Sequence, residues 1–140
     1  MHIRDIIWIF NVLWGGNMIV GIGNDIVDMG RMADIYHRQP RMAKKILTPD
    51  ENREFADRKF SIEYLSGRFA AKEAIYKAMN VGDEVALTWQ KVSILGVNGA
   101  PVFHFNDEIQ NYMHDKNIKK CHLSITHDAG IAAAMVIIES

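Results

Sequence analysis

The sequence predicts a single α+β domain in which a mostly antiparallel sheet packs against one long helix and several shorter helices. Three observations support this prediction. Residues 19–27, IVGIGNDIV, are β-branched and punctuated by glycine, as in a strand. The stretch Ile62–Met79 has the length and the small and apolar pattern of a helix. Near the carboxyl end, pairs of apolar runs are joined by turn residues, as in β-hairpins.

Length and composition limit the possible classes of protein. A chain of 140 residues fits one domain, and 49% apolar with 24% charged residues is typical of a globular fold and not of a disordered chain. The net charge of -1 argues against a general nucleic-acid binder. Cys121 is the only cysteine, so neither an internal disulfide nor a multi-cysteine zinc site is possible. We expect a cytoplasmic protein with Cys121 as a core residue.

The first 17 residues, MHIRDIIWIFNVLWGGN, differ in character from the rest. Their apolar run, residues 6–14, is shorter than the ~20 residues that a membrane helix needs. Asp5 and the lack of a small-x-small cleavage site argue against a signal peptide. We interpret residues 1–17 as an extension outside the core fold and residues 18–140 as the domain. A packing or oligomerisation element is the alternative for this extension.

The first predicted strand has two unlike faces. Gly21, Gly23 and Asp25 share one face, where two absent side chains leave room for a close approach to a carboxylate. A simpler alternative is a bulge followed by a helix cap at Asp25 or Asp28. The other face carries three branched apolar side chains, Val20, Ile22 and Ile26.

Residues 29–45 have a helical and strongly basic pattern. Asp34 is their only acid. This surface is either a docking site for an acidic partner or an ordinary solvated helix face. Its five basic side chains are Arg31, Arg38, Arg41, Lys44 and Lys45.

Turn and cap signals predict the remaining short elements. Thr48 and Pro49 suit the N-cap and first position of a helix. Asn98 and Gly99 predict the turn of a hairpin between WQKVSILG and PVFHF. Asn106 is expected to cap a short helix, and DAG joins CHLSITH to IAAAMVIIE in a final hairpin.

The long helix, Ile62–Met79, combines small residues with charges. Glu73 and Lys77 have the i, i+4 spacing of an ion pair, but a surface pair contributes only about 0.3–0.5 kcal/mol. A functional role for the charges therefore competes with a plain solvated face. The apolar side carries Leu65, Phe69, Tyr76 and Met79, and the small-residue surface carries Gly67, Ala70, Ala71, Ala74 and Ala78.

Two carboxylates far apart in sequence, Asp25 and Glu73, suit Mg²⁺, which binds one or two carboxylates together with substrate phosphates. Phosphate oxygens could then be held by Arg68, Lys72, Lys77 and His127. A dinucleotide-binding motif is rejected, because Ile26 holds the third glycine position of G-x-G-x-x-G.

Three motifs occur in order: MIVGIGNDIVDMGRM, SGRFAAKEAIYKAM and HLSITHDAGIAAAMVI. Together they resemble the holo-acyl-carrier-protein synthase family, the small 4′-phosphopantetheinyl transferases, over residues 18–139. The resemblance implies a fold of that type and a Mg²⁺-dependent enzyme of fatty acid biosynthesis. Such an enzyme transfers 4′-phosphopantetheine from coenzyme A to a serine of apo acyl carrier protein and releases adenosine 3′,5′-bisphosphate.

The resemblance also implies roles for individual residues. Asp25 and Glu73 match the metal ligands, Lys77 a phosphate-contacting or catalytic residue, and His127 a residue near the coenzyme A phosphates. Arg31 is similar to a residue that contacts the carrier protein. The serine proton would go either to Glu73 or to a water molecule activated by the ion. A homotrimer with active sites at its interfaces is implied, without membrane or nucleic-acid partners.

The chain departs from the family pattern after the long helix. The segment NVGDEVALTW has Gly82 alone and two acids, where the family has a glycine-rich stretch, so the contact of this loop with coenzyme A is not predicted. Two other functions compete with transfer. One is a noncatalytic module that binds an acidic partner, and the other is a phosphate-ester hydrolase that uses the same carboxylates.

Overall fold

The computed structural model describes residues 2–6, 9, 17–81 and 88–140, and its elements follow the predicted order. The first half contains strand β1 (Ile19–Asp28) and helices α1 (Met29–Arg38), α2 (Met42–Ile46), α3 (Pro49–Asp57) and α4 (Ile62–Met79). The second half contains a 3₁₀ turn (Trp89–Lys91), strands β2 (Val92–Val97) and β3 (Ala100–Phe105), helix α5 (Asp107–Asp115), and strands β4 (Lys120–Asp128) and β5 (Ile131–Glu139).

The described strands form two antiparallel sheets. One has three strands in the order β1-β5-β4, and the other is the β2-β3 hairpin. In the larger sheet Asp25 lies opposite Ala134, which lies opposite Ile125. Helix α4 packs across β1 and β5. The predicted α+β class, with mostly antiparallel pairing against one long helix, is confirmed.

The contact between β1 and α4 depends on two glycines. A Cβ atom on Gly21 would lie 2.0 Å from the Ala78 carbonyl oxygen, and one on Gly23 would lie 1.9 Å from the Ala74 carbonyl oxygen. Such distances are far inside van der Waals contact, so only glycine permits this approach. The close approach predicted at these glycines therefore exists, and the approaching group is the α4 backbone.

Local signals placed most element ends correctly. Thr48 caps α3 in a capping box with Glu51, and Asn106 accepts a hydrogen bond from the Ile109 N–H at the start of α5. Asn98 and Gly99 both have positive φ in the β2-β3 turn, as a tight hairpin turn requires.

Two local predictions were wrong in detail. The basic helical stretch of residues 29–45 is broken around Pro40 into α1 and α2, because proline cannot supply the N–H that a helix interior needs. Trp89, Gln90 and Lys91 form a 3₁₀ turn and not the start of β2. The Gln90 side chain donates to the Leu47 carbonyl at 2.8 Å and holds this turn against the end of α2.

The ends of the predicted domain meet each other. The Ser140 N–H donates to the Met18 carbonyl at 2.9 Å. Of the predicted extension, the structure describes residues 2–6, 9 and 17, with a helical turn at residues 3–6. That the extension is separate from the core stays a prediction. Within the described ranges, no helix has both the length and the apolar character that a bilayer span requires.

We predict that Gly23→Ala lowers the free energy of unfolding by about 3 kcal/mol, the upper part of the range for overpacked cores, because rigid backbone blocks the new methyl group. Urea denaturation measures this loss. Gly96→Ala is the matched control, since its Cβ would lie 3.5 Å from the nearest atom, and we expect a change below about 1 kcal/mol. Equal losses in both variants would contradict the packing argument.

Candidate active site

The first predicted ligand, Asp25, lies beside a cation supplied by α4. Lys77 Nζ donates to Asp25 Oδ1 at 2.9 Å and to the Asn24 carbonyl at 3.1 Å. The Asp25 side chain is 17% exposed and that of Lys77 is 54% exposed. The alternative role of Asp25 as a helix cap is wrong, because Asp28 caps α1 by accepting from the Arg31 N–H. Asp25 lies inside strand β1, which continues for three residues beyond it.

The second predicted ligand, Glu73, lies in a groove that also contains Lys77. Glu73 Oε1 accepts a hydrogen bond from Trp89 Nε1 at 2.8 Å. Glu73 and Lys77 are one turn apart on α4, and Lys77 reaches Asp25, so the three predicted residues lie next to one another. We call this the carboxylate groove; its volume is about 540 Å³, and it is lined by Glu73, Tyr76, Lys77, Asn80, Val81 and Trp89.

Tyr76, in the same groove, is unsuited to accept a proton. Its hydroxyl donates to the Thr88 carbonyl at 2.7 Å. Burial, together with Glu108 and Glu73 nearby, raises the pKa of Tyr76 to about 12. The phenol is therefore neutral at physiological pH.

Lys72 does not reach the carboxylate groove. Its side chain is fully buried, and Nζ donates to Glu51 Oε1 at 2.5 Å, the Ile46 carbonyl at 2.6 Å and the Trp89 carbonyl at 2.9 Å. Burial lowers the pKa of Lys72, although the Glu51 carboxylate opposes this shift. Because protein atoms use all three ammonium protons, the predicted contact between Lys72 and phosphate does not fit this position. Lys72 instead joins α4 to α2, α3 and the 3₁₀ turn.

His127 and Arg68 line a different groove from Glu73. His127 Nε2 lies 3.7 Å from Glu63 Oε2, and Arg68 Nε donates to the Ile94 carbonyl at 3.0 Å. Arg58 and the β2-β3 hairpin complete the walls. We call this the cationic groove; its volume is about 490 Å³, and its lining includes Arg58, Glu63, Tyr64, Arg68, Pro101 and His127.

An acid–phenol pair supports one wall of the cationic groove. Tyr64 donates its hydroxyl to Glu54 Oε2 at 2.7 Å. Burial and this hydrogen bond raise the pKa of Tyr64. Burial alone would raise the pKa of Glu54, but hydrogen bonds from the Gly96 N–H and from Tyr64, with Arg68 nearby, lower it overall.

One chain does not bring His127 to the two predicted metal ligands. Asp25 is on β1 and His127 is on β4, which are the two edge strands of the larger sheet. Two strand spacings separate those edges by about 10 Å. Helix α4 packs over the sheet, with Gly67 next to Ile125 of β4 and Ala74 next to Gly23 of β1.

The five basic residues predicted to bind a partner are all exposed on or between α1 and α2. Two of them, Arg31 and Lys45, flank a largely apolar groove of about 410 Å³. We call it the apolar groove; its floor and walls include Ile26, Met32, Ile35, Met42, Phe69 and Trp89. The surface thus combines positive charge with exposed apolar area.

Sequence reasoning missed the parts played by Trp89 and Glu51. The sequence places Trp89 in the predicted strand WQKVSILG, and it gives Glu51 only the place of an acid in the first turn of a helix. The one available signal was that Trp89 is a large side chain with a polar N–H, which requires a partner when it is partly buried. Nothing local identifies Glu73 as that partner, 16 residues away.

Comparison with known proteins connects this geometry to a family. A model of the 4′-phosphopantetheinyl transferase superfamily matches residues 21–134. The chain belongs to the 4′-phosphopantetheinyl transferase superfamily. It is 40% identical over 126 residues to the holo-[acyl-carrier-protein] synthase of Shouchella clausii, covering 88% of this chain and 100% of that relative.

Solved structures of this transferase family share the fold. The holo-[acyl-carrier-protein] synthase of Neisseria meningitidis has a TM-score of 0.81 at 32% identity, covering 88% of this chain and 100% of that one. The Helicobacter pylori synthase, solved in complex with coenzyme A, has a TM-score of 0.69 at 30% identity, covering 84% and 98%. The predicted family and the prediction of a phosphopantetheinyl transferase enzyme are confirmed, so a noncatalytic binding module is not the better description.

Proposed function

We propose that this transferase moves 4′-phosphopantetheine from coenzyme A to a serine of apo acyl carrier protein, with Mg²⁺, in the cytoplasm and for fatty acid biosynthesis. The observation that carries the proposal is the meeting of Asp25, Glu73 and Lys77. Asp25 of β1 accepts a hydrogen bond from the Lys77 ammonium, and Glu73, one helical turn before Lys77, lines the same groove as Lys77. The Helicobacter pylori relative, whose structure contains coenzyme A, supports the choice of donor substrate.

The residues present fit a Mg²⁺ site that substrate completes. Mg²⁺ prefers oxygen ligands and is usually held by one or two carboxylates with water and substrate phosphates. Asp25 and Glu73 supply two carboxylates, and the described residues include no larger cluster of metal-ligating side chains. The ammonium of Lys77 already lies against Asp25. The Lys77 side chain is half-exposed, so it has room to move when an ion binds. Bound Mg²⁺ would neutralise negative charge on the diphosphate of coenzyme A.

The cationic groove is our candidate for the nucleotide end of coenzyme A. Arg58, Arg68 and His127 place positive or hydrogen-bonding groups along one cavity, where Glu54 and Glu63 also lie. Guanidinium groups pair well with phosphate oxygens. Arg68 is buried, lies against the Tyr64 ring at 4.3 Å and pairs with Glu54 at 3.5 Å, so it supports the groove from below. The exposed Arg58 and His127 are the groups that would reach phosphate first.

The chain's own groups would act by placement and by charge. The serine oxygen of the carrier forms a bond to the phosphorus that bears the pantetheine arm. The bond from that phosphorus to the bridging oxygen breaks, and adenosine 3′,5′-bisphosphate leaves with the electron pair. The ammonium of Lys77 lies against Asp25, one of the two proposed metal ligands. At this position it would counter the negative charge that builds on phosphate oxygens during transfer. Tyr76 stays protonated and does not take the serine proton.

The basic surface and the apolar groove suit an acidic carrier protein. Positive charge steers an acidic partner toward the surface, and the apolar groove gives it a place to bury apolar side chains. Trp89 lines both the apolar groove and the carboxylate groove, so a carrier docked here lies next to Glu73.

We further propose a homotrimer in which neighbouring subunits share each active site. His127 and Glu73 line separate grooves of one chain, so a second copy would supply the missing half. The sheet face turned away from α4 offers a surface for this contact. It leaves Ile22, Ile26 and Met135 exposed by 61%, 69% and 47%, which is unusual for branched and long apolar side chains.

The transfer reaction itself is tested by the mass of apo acyl carrier protein after incubation with coenzyme A and Mg²⁺. We expect the phosphopantetheine mass to be added by the wild-type protein. Asp25→Asn and Glu73→Gln should each lower kcat/KM by at least about 100-fold, because the charge stabilisation by a metal is worth several kcal/mol. Asp107→Asn, which removes an exposed carboxylate on α5, is the control.

Two outcomes would contradict this function. Wild-type protein that adds no mass to any acyl carrier protein at saturating Mg²⁺ is not a carrier-protein transferase. Release of phosphate from coenzyme A without carrier protein would instead favour the phosphate-ester hydrolase.

Carrier docking is tested by reversing charge on the basic surface. Arg31→Glu with Lys44→Glu should raise KM for the carrier protein about tenfold at low salt, with a smaller effect near 0.5 M salt, because exposed charges are screened. Arg53→Glu with Lys119→Glu makes the same change of charge outside this surface and should leave KM near the wild-type value. An unchanged KM in the first pair at low salt would show that the carrier docks elsewhere.

Sharing of the site between subunits is tested by mixing inactive variants. Glu73→Ala and His127→Ala, unfolded and refolded together in equal amounts, should recover about a quarter of the wild-type sites if neighbours supply the two residues in a closed ring. A mixture of Asp25→Ala and Glu73→Ala should recover no activity, because one subunit supplies both residues to each site and every subunit in the mixture lacks one of them. Sedimentation equilibrium checks the trimer. Equal recovery in both mixtures, or none in either, would contradict the shared site.

A further inference from the structure

Trp89 links the two grooves that the transfer reaction would use. Its side chain contributes to the walls of both the apolar groove and the carboxylate groove. We propose that Trp89 is a positioning residue that uses its indole N–H to hold the Glu73 carboxylate in the orientation needed for metal binding. This inference rests on the proposed function, because it assumes that Glu73 is a metal ligand.

The hydrogen bond itself explains why an indole suits this task. The terminal torsion of a glutamate side chain has a broad energy minimum, so an unassisted carboxylate rotates easily. Trp89 Nε1 lies 2.8 Å from Glu73 Oε1 and restricts that rotation. An indole is a neutral donor, so it orients the carboxylate without adding a positive charge that would repel a metal ion. Lysine or arginine at the same place would compete with the ion.

Trp89 is itself held firmly by the residue that precedes Glu73. Lys72 Nζ donates to the Trp89 carbonyl at 2.9 Å, while the neighbouring Glu73 accepts from the Trp89 indole. Two consecutive residues of α4 therefore contact the two ends of one tryptophan. The fully buried Glu51 fixes Lys72 from the other side.

Packing on the ring completes this support. The Trp89 ring lies 5.7 Å from the Phe69 ring, centroid to centroid, at an interplanar angle of 52°. The ring contact and the N–H donation are separable, because phenylalanine retains an aromatic ring but has no donor. Trp89→Phe therefore removes the hydrogen bond to Glu73 and preserves most of the packing.

Loss of such a supporting hydrogen bond usually lowers metal affinity or activity by about 10-fold to 100-fold. We expect Trp89→Phe to raise the Mg²⁺ concentration that gives half-maximal transfer by about 10-fold or more. KM for the carrier protein should change less than about twofold, because the ring still lines the apolar groove. Tyr112→Phe, which removes a buried hydroxyl bonded to the Met79 carbonyl, is the control and should match wild type in both constants.

A direct measurement of binding avoids dependence on turnover. Mn²⁺ substitutes for Mg²⁺, and free Mn²⁺ is counted by electron paramagnetic resonance in the presence of coenzyme A. Trp89→Phe should weaken Mn²⁺ binding by about 10-fold or more, with thermal unfolding close to that of wild type. In ¹⁵N-tryptophan-labelled protein, Glu73→Gln should shift the Trp89 indole N–H resonance without metal or coenzyme A. That resonance is assigned by its loss in Trp89→Phe.

The outcomes separate this inference from the proposed function. Equal Mn²⁺ binding by wild type and Trp89→Phe, including no binding by either, overturns the role of Trp89, as does an indole resonance that ignores Glu73→Gln. A different result separates the two: Mn²⁺ binding is weaker in Trp89→Phe than in wild type, but wild type transfers nothing to carrier protein. That result overturns the proposed function and leaves the role of Trp89 in place.

Discussion

The close packing of α4 on β1 is the constraint on which the rest of the site depends. Because Gly21 and Gly23 have no side chains, the carbonyl groups of Ala74 and Ala78 lie directly against the strand. The next residue on the same face of β1, Asp25, lies within reach of the Lys77 side chain, which extends from the turn of α4 that packs on the glycines. A wider separation of strand and helix would place Asp25 beyond the reach of Lys77 and would leave Glu73 as an isolated carboxylate.

The charges of α4 have two different surroundings, and each has a physical reason. Arg68 and Lys72 are buried, which is tolerable only because carbonyl and carboxylate groups accept their hydrogen bonds. Lys72 thereby connects three other segments to the helix, and the removal of such a partner would leave Glu51 charged and buried. Glu73 and Lys77, in contrast, face a groove and remain available for chemistry. Alanines and charges therefore occur in one helix because the helix is part of the core and part of the site.

The surfaces of the chain complement this division. The grooves on the two sides of α4 differ in their charged groups: one pairs Glu73 with Lys77, and the other has Arg58 and Arg68 beside Glu54 and Glu63. The outer sheet face is apolar yet exposed. A diphosphate substrate needs both a metal-binding end and a cationic end, so an assembly of copies that joins unlike grooves would be a simple way to meet both needs. Trp89 lines both the apolar groove and the carboxylate groove.

The sequence by itself determined the elements and the family. The bounds of Ile62–Met79, the caps at Thr48 and Asn106 and the turn at Asn98 depend on residues only a few positions apart, and three ordered motifs were enough to identify the transferase family. The tertiary structure alone decided which charges are buried. Lys72 meets Glu51 across 21 residues, and Trp89 meets Glu73 across 16, so no local pattern could show that one lysine of the motif supports the core while its neighbour belongs to the site. Partners of buried polar groups are chosen by packing in three dimensions, and that choice is not present in the spacing of residues along the chain.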